Sequence, residues 1–134
     1  FSGVGSFGLE CLSRGAATVT FSENYKEVLT VLKKNIYNLK QQSSTNIIEK
    51  NIFAENTLKL LNNKFDIIFM DPPYKEKKII GLLNTVIKLK LLKDNGIIII
   101  HRHKKEEDIF PDRFNILIKK NYGISKIIFG NDLS

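Results

Sequence analysis

Phe65-Asp66-Ile67-Ile68-Phe69-Met70-Asp71-Pro72-Pro73-Tyr74 is the stretch on which the reading of this chain turns. Phe65–Met70 is an apolar run of strand length, expected to be a buried β-strand, and Asp71-Pro72-Pro73-Tyr74 ends it abruptly. Consecutive prolines hold φ at about −65° and donate no backbone hydrogen bond, so the corner is stiff and no sheet ladder continues through it. An acid, a rigid carbonyl-bearing turn and an exposed aromatic then fall within four residues. Together they make a place to hold a flat ring that carries an amine. An ordinary strand-ending turn uses the same residue types, with Tyr74 capping a core. The tetrapeptide alone leaves both readings open.

Upstream, Gly3-Val4-Gly5-Ser6-Phe7-Gly8 has the spacing of a tight turn that opens a helix. Glycine there lets a ligand approach the backbone ahead of the helix N-terminus. Leu9, Leu12 and Ala16 follow at helical spacing, and Gly15 is a natural stop. Gly3 and Gly5 serve equally well as plain turn residues. Residues 17–22 read as a strand ending at Glu23, about where doubly wound folds place the acid that binds ribose hydroxyls. Glu23 also precedes a strong helical stretch, where acids are favoured on electrostatic grounds alone. That stretch, residues 24–40, sets Val28, Leu29, Leu32, Ile36 and Leu39 on one stripe. A third strand begins at Ile47-Ile48 and is expected to end over Lys50-Asn51-Ile52-Phe53. There Asn51 can meet an adenine edge while Ile52 and Phe53 wall its face, or the three are a loop amide and two core side chains. Residues 54–62 read as a short helix through Leu58 and Leu61.

Downstream, residues 75–78 are a basic patch able to meet phosphates, or simply a solvated helix start. Residues 79–92 are an amphipathic helix, Asp94-Asn95-Gly96 a turn, and residues 97–100 a continuous apolar strand of the doubly buried parallel kind. His101 and His103 point the same way on that strand, but with no cysteine or carboxylate pair nearby no metal site is expected. Residues 114–119 and 124–129 close the chain as a hairpin around Asn121-Tyr122-Gly123. The expectation is one α/β domain over 1–134 with a mostly parallel sheet and an antiparallel C-terminal hairpin.

The 134 residues suffice for one core, and a net charge of +7 suits a polyanionic partner such as nucleic acid. Richness in Ile, Lys and Asn raises charge without any ligand, so the argument from basicity is weak. A single cysteine, Cys11, excludes an internal disulfide and fits a reducing, cytoplasmic setting. No apolar run nears the roughly 20 residues of a membrane span. The chain begins with Phe rather than Met, directly on a glycine-rich loop, the pattern expected of a piece cut inside a motif.

A glycine-rich turn, an acid ending the next strand and Asp-Pro-Pro-Tyr ending a later one resemble class I S-adenosylmethionine-dependent methyltransferases, a Rossmann-like fold. Phe1-Ser2-Gly3-Val4-Gly5 with Gly8-Leu9-Glu10-Cys11-Leu12-Ser13-Arg14-Gly15-Ala16 is closer still to the RsmD-like bacterial family that methylates N2 of a guanine in 16S ribosomal RNA. In that family the loop commonly reads F-A-G-S-G, followed by G-L-E-A-L-S-R-G-A. The resemblance implies that S-adenosyl-L-methionine is held by Phe1, Ser2, Gly3, Gly5, Gly8, Glu23, Asn24, Asn51, Ile52 and Asp71. It implies catalysis by Asp71, Pro72 and Tyr74, and substrate binding by Pro73, Tyr74 and Lys75. The partner it implies is 16S ribosomal RNA or a small-subunit assembly particle, met by a monomer with no metal and no membrane. The departures are Ser2 and Val4 where Ala and Ser are usual, and His101 where an acid is common. The family's first strand, its acid and a basic N-terminal segment are expected to be missing from this sequence. Rival readings are an N6-adenine or other planar-amine methyltransferase, a nucleotide-binding oxidoreductase, and a non-catalytic RNA-binding domain. The oxidoreductase gives no reason for Asp71-Pro72-Pro73-Tyr74.

Overall fold

Two stretches of alternating strand and helix account for the architecture of the computed structural model, which describes residues 1–54 and 56–133. They form two compact units, Phe1–Ala54 and the remainder of the chain. In the first unit, helix α1 (Ser6–Ser13) follows the glycine loop and leads to strand β1 (Val19–Ser22). Helix α2 (Lys26–Asn38) then crosses over to strand β2 (Thr45–Ile48), which pairs with β1 in parallel, Phe21 opposite Ile47. The stripe read from the sequence is the buried face: Leu29, Leu32 and Ile36 of α2 pack with Phe21 into a small core joined by Leu9, Val19 and Ile47. Leu39 lies beyond the helix and is exposed. Lys50–Phe53, expected to end the third strand, instead form a turn, because Asn51 Oδ1 accepts from Phe53 N (2.9 Å) and redirects the backbone.

In the second unit, the helix expected over residues 54–62 is one turn of 3₁₀ helix, Leu58–Leu60; Glu55, within that span, lies outside the described residues. Strand β3 (Phe65–Met70), helix α3 (Ile79–Lys88), strand β4 (Leu92–His103) and the hairpin β5 (Phe114–Tyr122) and β6 (Ser125–Asp132) follow. Their sheet runs β3-β4-β6-β5, parallel between β3 and β4 and antiparallel at the other two pairings. β3 is less buried than expected: only Met70 is buried and Ile67 is half exposed. The Asp94-Asn95-Gly96 turn lies inside β4, as an irregular excursion in the β3–β4 ladder. Beyond it β4 alternates rather than being buried on both sides. Ile98, Ile100 and Arg102 are buried, while Ile99, His101 and His103 on the opposite face are more open.

Candidate functional site

The first unit carries a cleft at the C-terminal ends of β1 and β2, where open parallel sheets place their ligands. Phe1, Glu23, Asn24, Asn51, Ile52 and Phe53 line it. Glu23 leaves β1 with both carboxylate oxygens engaged. Oε1 accepts from Gly3 N (3.0 Å), and Oε2 from Asn24 N (3.1 Å) and Tyr25 N (3.3 Å). The acid therefore braces the glycine loop and meets the N-terminal approach to α2, so the helix-start reading of Glu23 holds in its local geometry. Ser2 is tied through its backbone N to Ser22 O (3.1 Å), yet the buried hydroxyls of Ser2 and Ser22 have no hydrogen-bond partner among the described residues. Leaving such a group unsatisfied costs about 1–3 kcal/mol. Phe1 and Phe53 meet edge to face, ring centres 5.5 Å apart.

The glycines are not lining residues of this cleft. Gly5 sits at φ +90°, and a Cβ there would come within 2.5 Å of Leu32 Cδ1. At Gly8 it would come within 2.4 Å of the Phe21 ring. Both positions let α1 lie close on β1 and α2. Gly3, at φ +55° with open space around its Cα, is the one whose need is purely conformational.

The second unit presents the double-proline corner. Met70 pairs with Ile100, so the next residues, Asp71 and His101, fall side by side at the tips of β3 and β4. Asp71 Oδ1 lies 2.8 Å from His101 Nδ1, and His101 Nε2 lies 2.8 Å from Ser125 Oγ. Among the described residues the other Asp71 oxygen and the Pro72 carbonyl have no hydrogen-bond partner, whereas the Pro73 carbonyl accepts from Glu76 N (3.0 Å) and Arg102 Nη1 (3.5 Å). Tyr74, partly exposed, stands edge-on to the rings of His101 (6.2 Å) and His103 (5.2 Å). Lys75 is exposed beside it.

Arg102 went unremarked in the sequence. It shares the buried face of β4 with Ile98 and Ile100, is wholly buried, and forms a two-pronged pair with Asp108 (2.8 and 3.0 Å). Ser125 carries no signal of its own in the sequence either. A hairpin reading contains the placement, since β6 runs antiparallel to β4 with Ser125 opposite His103 and diagonal to His101, but only once the register is known.

The chain matches the family described as Conserved hypothetical protein 95 over residues 1–131. It is 37% identical over 124 residues to "Ribosomal RNA small subunit methyltransferase D" of Buchnera aphidicola, covering 90% of this chain and 62% of that protein. To the protein of the same name from Haemophilus influenzae it is 33% identical over 129 residues, covering 92% of this chain and 65% of that protein. It thus spans just under two thirds of the length of these relatives. The crystal structure of a candidate methylase from Haemophilus influenzae superposes with a TM-score of 0.86 at 33% identity, over all of this chain and 84% of that one.

Proposed function

This chain belongs to the Conserved hypothetical protein 95 family, and on that premise we propose that the protein transfers a methyl group from S-adenosyl-L-methionine to the exocyclic N2 amine of a guanine in 16S ribosomal RNA. What supports the cofactor most is the cleft at the ends of β1 and β2. It gathers Phe1, Glu23, Asn24, Asn51 and Ile52, five residues drawn from three separate places in the chain. The donor set fits: aromatic and aliphatic walls for a purine, an amide for its edge, and an acid for ribose hydroxyls. The hydroxyls of Ser2 and Ser22, without a partner among the described residues, add unmet polar demand in the same unit. Glu23 keeps its three backbone hydrogen bonds and accepts from a ribose hydroxyl with the one site left on Oε1, because an ionised carboxylate offers about four acceptor sites. Gly3, Gly5 and Gly8 act one step back, shaping the loop.

S-adenosyl-L-methionine would supply a methyl group on a positively charged sulfur that is already a good leaving group. Asp71 and Pro72 do the rest of the work on the nucleophile. The amine lone pair of guanine is delocalised into the ring, so the nitrogen is a poor nucleophile. Hydrogen bonds from the amine to the second Asp71 oxygen and the Pro72 carbonyl favour a pyramidal nitrogen with its lone pair directed outward. These are the two acceptors at the corner without a partner among the described residues. Orientation and fixed charge then supply most of the acceleration. Tyr74 stacks on the base swung out of its helix, a contact of about 1–3 kcal/mol in single-stranded recognition. Lys75 meets a neighbouring phosphate.

The test uses the full-length protein, S-adenosyl-L-methionine, and both naked 16S RNA and small-subunit particles from cells lacking the protein. Digestion to nucleosides and mass spectrometry should yield N2-methylguanosine. N6-methyladenosine, or no modified nucleoside from either substrate, overturns the assignment.

A further inference from the structure

We infer that His101 is a positioning residue that fixes the Asp71 carboxylate through a proton held on its Nδ1, with Ser125 setting the tautomer from the far side. The inference rests on the role given to Asp71 in the preceding subsection and extends it to two residues that nothing else assigns. Hydrogen-bond bookkeeping gives the direction of each contact. An ionised Asp71 can only accept, so Nδ1, 2.8 Å away, carries the proton. A neutral imidazole then has a lone pair on Nε2, and the Ser125 hydroxyl at 2.8 Å donates to it. Moving the proton to Nε2 would set two lone pairs against each other at the Asp71 contact, and turning the ring would replace both nitrogen contacts by carbon.

The backbone explains why these three side chains meet. Parallel pairing of β3 with β4 brings Asp71 level with His101, and antiparallel pairing of β4 with β6 puts Ser125 on the face of β4 that carries His101 and His103. The carboxylate is about half exposed, so without a fixed donor it would rotate among several solvated positions. With Oδ1 held, Oδ2 is left as the acceptor for an incoming amine. His101 supports the aromatic too, because its ring and that of His103 each meet Tyr74 in a T-shaped contact. One imidazole thus orients both the acid and the stacking platform.

Three variants of the full-length protein separate this role from packing. His101→Ala should lower kcat by ten- to a hundredfold while leaving cofactor affinity within about threefold, the size expected for an outer partner that orients an acting group. His101→Asn, whose Nδ2–H stands near the position of Nδ1–H, should restore most of kcat, whereas His101→Gln, which reaches only the Nε2 position, should not. Equal loss in all three, or full kcat in His101→Ala, overturns the inference. A readout independent of activity is the ¹⁵N-edited NMR spectrum of the His101 ring. It should show the Nδ1–H tautomer and lose it in Asp71→Ala; an Nε2–H tautomer overturns the inference. If the NMR result holds while the wild type yields no N2-methylguanosine, the assigned reaction falls and the arrangement of Asp71, His101 and Ser125 stands.

Discussion

Replacing Asp108 by Asn should destabilise the protein severely, by about 3 kcal/mol, although position 108 lies in the irregular segment that follows β4. Arg102 is wholly buried, and Asp108 is its nearest anion, bonded at 2.8 and 3.0 Å with its own side chain only 10% exposed. Two unit charges about 4 Å apart at an effective dielectric constant near 20 attract by roughly 4 kcal/mol. Removing one partner of such a pair typically costs about 3–5 kcal/mol, because the other charge is left buried. Glu106, 3.7 Å from Arg102 Nη2 and more exposed, recovers part of that, which places Asp108→Asn at the lower end. Urea unfolding of the full-length protein followed by circular dichroism should show it. With a slope of about 2 kcal/mol/M, the midpoint falls by about 1.5 M. The double variant Arg102→Met with Asp108→Leu removes both charges and should sit within about 1–2 kcal/mol of wild type. A midpoint for Asp108→Asn within about 0.3 M of wild type, or a double variant no better than Arg102→Met alone, would refute the reasoning that this pair is held by burial.

Gly8→Ala should cost about 1–3 kcal/mol by overpacking, since the new methyl meets the Phe21 ring at 2.4 Å. Gly3→Ala, with open space but φ +55°, should cost only about 1–2 kcal/mol of backbone strain; thermal melts that reverse this order count against the packing role of Gly8. Asp71→Ala should keep cofactor affinity by calorimetry while methyl transfer falls by about a hundredfold or more, and unchanged turnover removes Asp71 from the mechanism. Tyr74→Ala should raise KM for RNA by up to about a hundredfold, in line with a stacking loss of about 1–3 kcal/mol, with cofactor binding unaffected; equal loss of both makes Tyr74 a core residue. Burial first, and the neighbouring Glu10 second, hold the Cys11 thiol above its ordinary range. Less thiolate is then present at any pH below that raised value, so iodoacetamide should label native Cys11 more slowly at pH 8 than the urea-unfolded chain. Equal rates contradict it.

What could be read in advance was whatever local chemistry decides. The stripe of α2, the run at β3, the double proline and the hairpin each declare themselves through spacing, because a helix or strand buries the same face wherever it sits. Glu23, Asn51 and Ile52 stand out near the ends of strands, whereas Phe1 and Asn24 enter only through the resemblance; all five line one surface. The spacing of Gly5 and Gly8 suggests a tight turn with room for a ligand and does not reveal that their Cα atoms also face Leu32 and Phe21. Asp94-Asn95-Gly96 misled for a similar reason: turn-forming residues also suit a ladder irregularity, and only the pairing of β3 with β4 distinguishes the two. The contacts of Asp71 with His101, His101 with Ser125 and Arg102 with Asp108 depend on register and on loop return. No periodicity in a single chain encodes either.

The excursion in β4 has a consequence for how the gene can vary. Two residue steps on β3, from Phe65 to Ile67, run beside five on β4, from Leu92 to Ile97, so the ladder sheds its surplus length before the strand tips are reached. A single-codon deletion within residues 93–96 would be absorbed as slack, leaving every partner from Ile97 onward where it was. The same deletion just beyond Ile97 would exchange the two sides of the strand from there on. A guanidinium would then face Asp71 and an imidazole would be turned into the apolar layer. Length is therefore negotiable on one side of Ile97 and fixed to the residue on the other.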